Sequence, residues 1–281
     1  MPTYKTWCIE QLFNKRWNPT TNTLHTPFVS LDEVTQEIVA YNATGPAKTI
    51  STLNPSHFFK DFVRSLKRAN LDWPPSVFQR GYTGAQQTSG GRCFVFVPLP
   101  PAAAAPFVPI LPSANLATLP VSTLQIPTLA RAMSRKDETW LMQIATRLHL
   151  IELHLSTKSP NDLNYVEFLQ MGVKQNLAEI DAMYMGHTRH GDNVIISVEA
   201  KTSDDIYDGQ IIAQVLAVRS MKSIKGINID RVIPIAIKAI KKQGVYVAEF
   251  ESVKMSAPDP QDLKVVAESM ITLNPPLPKL V

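Results

Sequence analysis

At 281 residues, with 44% apolar and 19% charged side chains, the chain has room for one large domain or two ordinary ones and enough core-forming residues to exclude global disorder. No apolar run approaches the roughly 18 residues of a membrane span, so no membrane partner is expected. The formal net charge of +4 is modest but uneven: residues 1–97 carry 10 Lys/Arg against 6 Asp/Glu, whereas residues 98–281 carry 18 of each.

A basic front end points to a polyanionic partner such as nucleic acid. No long apolar stretch follows Met1-Pro2-Thr3-Tyr4-Lys5-Thr6-Trp7, so no secretory leader is expected. Cys8 and Cys93 lack metal-ligand spacing and read as small hydrophobes in a reduced, cytoplasmic compartment.

In chain order, Ser30-Leu31-Asp32-Glu33 predicts a capped helix start ahead of Val34, Ile38 and Val39. Asn54-Pro55-Ser56 predicts a second helix start. Along that helix Lys60, Arg64, Lys67 and Arg68 share one face, and Phe59, Phe62, Val63, Leu66 and Ala69 cover the other. The basic face reads either as a solvated face or as a phosphate contact. A polar, Gly-rich loop from Gln79 to Arg92 leads into the strand-like Cys93–Val97. Its Arg80, Gln86, Gln87 and Arg92 are side-chain types that read guanine and adenine edges, though a plain flexible loop has the same composition. Helices followed by such a loop and strand predict a mainly helical, winged-helix-like domain over residues 1–97.

The stretch from Pro98 to Pro127 holds 8 of the 22 prolines and no charge. Proline fixes φ and removes a donor, so residues 98–130 are expected to form an extended connector, packed along a surface through Phe107, Val108, Ile110 and Leu111. The remaining residues, 131–281, form a second expected domain. A helix is predicted from about Lys136 to Leu155, one strand from Val173 to Met185, a second from Val194 to Ala200, and a helix from about Asp205 to Met221. Strands at Val232–Ile240 and Val245–Phe250 and a last helix at Asp259–Leu273 complete a mixed sheet flanked by helices, an α/β class.

The chemistry lies on the two middle strands. Strand alternation places Glu179 and Asp181 on one face, and Glu199 and Lys201 on one face with Val198 and Ala200 toward the core. If the strands pair as a hairpin, Asp181 and Glu199 converge. Two carboxylates suit a hard octahedral cation such as Mg²⁺, and Lys201 beside them is placed to contact a phosphate and orient or deprotonate a water. His187 and His190 flank a turn without further ligands and read as exposed. His149 and His154 read as partly buried structural residues. Asp204, Asp205 and Asp208 read as acids at a helix N-terminus.

Asp181, 17 intervening residues and then Glu199-Ala200-Lys201 resembles the PD-(D/E)xK nuclease superfamily, with Ile180 in place of the motif's proline. The resemblance covers roughly residues 136 to 250. It implies a restriction-endonuclease-like sheet, Mg²⁺ held by Asp181, Glu199 and Ala200, and catalysis by Asp181, Glu199 and Lys201. Glu138 matches a glutamate on the preceding helix, and Gln210, with Gln214 one turn on, matches a supporting glutamine. A DNA-binding front domain fused to such a core is similar to a type II restriction enzyme, acting on double-stranded DNA as a homodimer. A structure-specific resolvase or repair nuclease, and a non-catalytic DNA-binding protein on a nuclease scaffold, stand as alternatives.

Overall fold

The computed structural model describes residues 3–87, 91–99, 103–175, 178–260 and 262–280. It divides into two compact units, Met1–Pro109 and Ile110–Val281. The middle of the Gly-rich loop (88–90), part of the connector (100–102), Leu177 and Gln261 lie outside the described residues.

In the first unit, α1 (Tyr4–Asn14) starts at Thr3, whose hydroxyl accepts the Thr6 N–H. A short ladder, β1 (Trp17–Asn18) with β2 (Thr23–Leu24), precedes β3 (Phe28–Ser30). Ser30 ends β3 and caps α2 (Leu31–Ala43): its hydroxyl accepts the Glu33 N–H, and the Glu33 carboxylate accepts the Ser30 N–H. Val34 and Ile38 are buried on α2, but Val39 is exposed.

The single basic helix expected after Asn54 is two short helices, α3 (His57–Val63) and α4 (Leu66–Asp72). They separate at Ser65, which takes an extended conformation at the N-cap position of α4. α5 (Pro75–Gln79), with Pro75 in its first turn, leads to the antiparallel hairpin β4 (Tyr82–Gln86) and β5 (Arg92–Pro98). β5 also pairs with β3, giving the strand order β3-β5-β4. The core is aromatic: Phe59 stacks on Phe94 at 4.7 Å, and Trp73 meets Phe107 edge-on at 5.1 Å.

The stretch read as a connector is shared between the units. Phe107 is buried in the first, where its backbone is bound by Asn70, and Ile110 is buried in the second. Val108 and Leu111 are exposed.

The second unit is built on an eight-stranded mixed sheet. It contains β6 (Thr118–Ser122), then α6 (Thr128–Ala132), α7 (Glu138–Arg147), α8 (Leu150–Thr157), β7 (Leu163–Lys174), β8 (Glu179–Thr188), β9 (Asn193–Lys201) and α9 (Asp208–Arg219). A 3-10 turn (Lys222–Ile224), β10 (Ile229–Ile240), β11 (Gly244–Phe250), β12 (Val253–Lys254) and β13 (Val265–Asn274) follow. The strand order is β6-β13-β11-β10-β9-β8-β7, with β12 paired to β10. β7, β8 and β9 form an antiparallel meander, and α9 crosses over to make β10 parallel to β9.

One sheet face is covered by α7 and α8, through Leu141, Ile144 and Ile151 against Val198, Ala200, Ile235 and Ile237. The other is covered by α9, through Ile211, Val215 and Val218 against Ile195, Val232 and Ala236. Both faces of β9 and β10 are therefore buried, which explains their near-continuous apolar runs.

Four expectations are corrected. The helix over 136–155 breaks at His149, which sits in the left-handed region at φ 51° and is exposed, not part-buried. The strand over 173–185 is a hairpin: β7 ends at Lys174, and the Gln175 N–H reaches the Ala178 carbonyl across the reversal. The last helix is instead β13, in which buried Ile271 and Leu273 alternate with Thr272 while the strand pairs antiparallel with β11 and parallel with β6. Among the described residues, no helix is long and apolar enough to cross a membrane.

Beneath α8 lies a buried polar cluster. His154 and Glu249 are both fully buried, with Nε2 and Oε2 3.3 Å apart. His154 Nδ1 lies 2.8 Å from Ser269 Oγ, and Glu249 Oε1 accepts from Ser159 Oγ and Asn161 Nδ2.

Candidate active site

Register between β8 and β9 runs from His187↔Asn193 to Ala182↔Val198 and stops there. Beyond that point the Asp181 side chain replaces a ladder bond, its Oδ2 accepting the Ala200 N–H at 2.7 Å. Val198 and Ala200 face the α7/α8 core, as strand alternation predicts, so Glu199 and Lys201 project to the α9 side. Asp181, Glu199 and Lys201 are thus brought together.

Glu199 is 6% exposed and fully engaged. Lys201 Nζ lies 2.6 Å from its Oε1, Gln210 Nε2 donates to Oε1 at 3.3 Å, and Gln214 Nε2 donates to Oε2 at 2.5 Å. Both glutamines come from α9, one turn apart. Gln210 Oε1 also accepts the Tyr207 N–H at the helix start. Gln214 is the more deeply committed of the two: it is 1% exposed and also approaches the Val198 and Glu179 carbonyls. Glu138 stands at the first turn of α7. The Thr202 hydroxyl donates to the Lys136 carbonyl at 3.3 Å, tying that helix start to the end of β9.

Electrostatics link these groups. Burial pushes the Asp181 carboxyl up, with Glu199 and then Glu138 adding to it against Lys201 and the Ala200 N–H, to about 7. Burial pulls the Lys201 ammonium down, but Glu199, Asp181 and Glu138 more than offset it, so its pKa is raised.

The arrangement fits a divalent cation. Two buried acids that disfavour one another's charge form a site that positive charge would relieve. Lys201 Nζ already occupies such a place, within reach of Glu199 Oε1 and 3.1 Å from the Ala200 carbonyl. Among the described residues, no three His, Cys, Asp or Glu side chains converge for a metal. The oxygens that stand at this place are those of Asp181, Glu199 and the Ala200 main chain, with Glu138 acting on it through its charge.

In the first unit, Lys60, Arg64, Lys67 and Arg68 are all exposed, though divided between α3, its C-cap and α4. Arg64 lies 3.7 Å from Asp61, and Arg68 lies 3.3 Å from Asp72. Lys5 of α1 joins this cluster, a residue the sequence pattern does not single out. Burial lowers its pKa, and Arg64 and Arg68 lower it further against Asp61.

Of the four loop residues, Arg80 stands apart from Gln86, Gln87 and Arg92. Arg80 packs over Trp17 at 5.1 Å and Phe13 at 5.7 Å, and donates to Asn14. Arg92 packs over Phe28 at 3.8 Å and donates to Gln87 at the root of the β4–β5 hairpin. Gln86 ends β4, opposite Phe94.

Elsewhere in the second unit, Asp208 opens α9, its carboxyl pushed up to about 6 by burial and by Asp262, while Asp205 pairs with Lys238 at 2.8 Å. Against this geometry, comparison with protein families, curated proteins and solved structures finds no match to the chain.

Proposed function

We propose that the chain is a Mg²⁺-dependent endodeoxyribonuclease, most like a type II restriction enzyme. In this reading the second unit hydrolyses phosphodiester bonds and the first binds double-stranded DNA. The observation that carries it is the convergence of Asp181, Glu199, Lys201 and the Ala200 carbonyl where β8 and β9 part. The surrounding order supports a restriction-endonuclease-like fold: helices, an antiparallel meander bearing the acids, a crossover helix bearing two glutamines, and a parallel strand. In the first unit, helices feeding a β4–β5 hairpin that pairs back onto β3 support the winged-helix reading.

Asp181, Glu199 and the Ala200 carbonyl would hold the cation. When bound, such an ion would polarise a phosphoryl oxygen and make a bound water more acidic. Lys201, its pKa raised, stays an ammonium and is a hydrogen-bond donor to the attacking water and to the charge that builds on phosphate. Gln210 and Gln214 keep the Glu199 carboxylate oriented from α9. Exposed Lys60, Arg64, Lys67 and Arg68, with Lys5 beside them, supply sequence-independent phosphate contacts. Gln86, Gln87 and Arg92 at the hairpin are the base-reading candidates, whereas Arg80 is engaged in stacking.

The test is incubation with plasmid and branched DNA in Mg²⁺ and in EDTA, for a homodimer cutting both strands. Discrete, metal-dependent fragments that vanish in Lys201→Ala support the assignment. Cutting confined to branches shifts it to a structure-specific nuclease, and binding without cutting shifts it to a DNA-binding scaffold.

A further inference from the structure

Lys201 has a second lysine beside it. β9 and β10 run parallel in a register that sets Glu199 against Ala236 and Lys201 against Lys238. Partners in a parallel register project to the same side of a sheet, and neighbouring strands lie about 4.8 Å apart. Lys238 therefore stands next to the site lysine, on the face covered by α9. Its side chain is only 13% exposed. Its Nζ lies 2.8 Å from Asp205 Oδ1, in the turn between β9 and α9, and that aspartate is the more exposed partner at 36%.

Two adjacent lysines repel one another, and a lysine withdrawn from water loses hydration. Packing alone is better served by an apolar side chain, as at Ala236 two residues earlier on the same face. Neighbouring cations at the end of parallel strands match a ligand with neighbouring anionic groups. A nucleic-acid strand is such a ligand, with one phosphate following another along its backbone. Resting on the nuclease reading, we infer that Lys238 is a second phosphate-contacting lysine of the same site. It engages the phosphate next to the one served by Lys201, and Asp205 is its counter-ion until the backbone arrives.

If the Lys238–Asp205 pair only pinned the turn, losing either partner would act alike. If Lys238 serves the substrate, the two losses act oppositely. The experiment measures duplex binding over a salt series in the Lys201→Ala background, for Lys238→Gln, Lys238→Arg and Asp205→Asn, with wild-type cutting in Mg²⁺ alongside. Lys238→Gln should weaken binding about tenfold and lower the salt slope by about one. Lys238→Arg keeps the charge and should keep the slope. Asp205→Asn frees Lys238 and should tighten binding. Equal weakening by Lys238→Gln and Asp205→Asn at an unchanged slope overturns the inference and leaves the nuclease reading standing. Absence of Mg²⁺-dependent cutting by the wild type overturns both.

Discussion

The Asp181 carboxylate accepts the Ala200 N–H at 2.7 Å, at the point where β8 and β9 cease to pair. The bond satisfies a backbone donor, but it holds an acid beside Glu199 in a largely buried place, and its pKa rises from 3.8 to about 7. The metal-free folded protein therefore keeps a proton between about pH 4 and 7 that the unfolded chain has released. Stability from this group is complete below the unfolded value and is lost as pH rises through the folded one. The loss is on the order of 4 kcal/mol. Asp181→Asn keeps an acceptor oxygen and discards the charge. In EDTA it should match the wild type near pH 4 and exceed it by about that amount at pH 8. Urea denaturation across this range checks it, and a difference that does not grow with pH would count against a buried, repelled carboxylate as the cause.

If Asp181 holds the proposed cation, the same acid couples its binding to protons. A ligand carboxylate must be ionised, so Mg²⁺ binding at pH 6 should release most of a proton, and at pH 8 almost none. Bound cation should raise the melting temperature, the stabilisation reaching about 2.7 kcal/mol at a hundredfold excess over Kd. Glu199→Gln and Asp181→Asn should each abolish the Mg²⁺-dependent rise. Calorimetric titration in buffers of different ionisation heat measures the proton count.

Gln210 and Gln214 both reach Glu199, but not equally. Gln214 is buried and donates at 2.5 Å, whereas Gln210 is part-exposed and donates at 3.3 Å. Gln214→Leu leaves a buried carboxylate oxygen without its donor and should cost about 1–3 kcal/mol of stability, with a large fall in cutting. Gln210→Ala should cost well under half as much in denaturation experiments. A reversed order would overturn the ranking.

The buried cluster under α8 gives a prediction separate from catalysis. Glu249→Leu removes the acceptor shared by Ser159 and Asn161 and the carboxylate that faces His154, and should destabilise by about 3 kcal/mol or more. Glu249→Gln keeps an acceptor and should be milder. Cutting per folded molecule should not change in either variant.

How much of this can be read from the chain depends on the reach of each signal. Ser30 with Glu33, and the alternation through Val198-Glu199-Ala200-Lys201, are local patterns, and the structure follows them. The convergence of Asp181 with Glu199 needs only that two neighbouring strands pair. The reversal after Lys174 is hidden because Gln175-Asn176-Leu177-Ala178 contains no Gly or Pro. β13 reads as a helix because its apolar residues fit both periods, and its pairing with β11 and β6 decides the outcome. The partnership of Lys201 with Lys238 lies across a helical crossover, so only the β9–β10 register exposes it. Gln214 is visible as a helix-face neighbour of Gln210, but its greater burial is not.

In the first unit, side chains with similar chemistry have separate surroundings. Lys67 is exposed on α4, whereas the Arg80 guanidinium rests over Trp17 and Phe13. A cation over an aromatic face contributes about 0.5–1 kcal/mol at exposed sites. Lys67→Ala should therefore leave stability unchanged, weaken duplex binding evenly across sequences and lower the salt slope by about one. Arg80→Ala should lower the stability of the unit by roughly 1 kcal/mol with little change in salt slope. Salt-series binding and denaturation of both variants separate the tasks. An Arg80→Ala slope as reduced as that of Lys67→Ala would place Arg80 at the DNA after all.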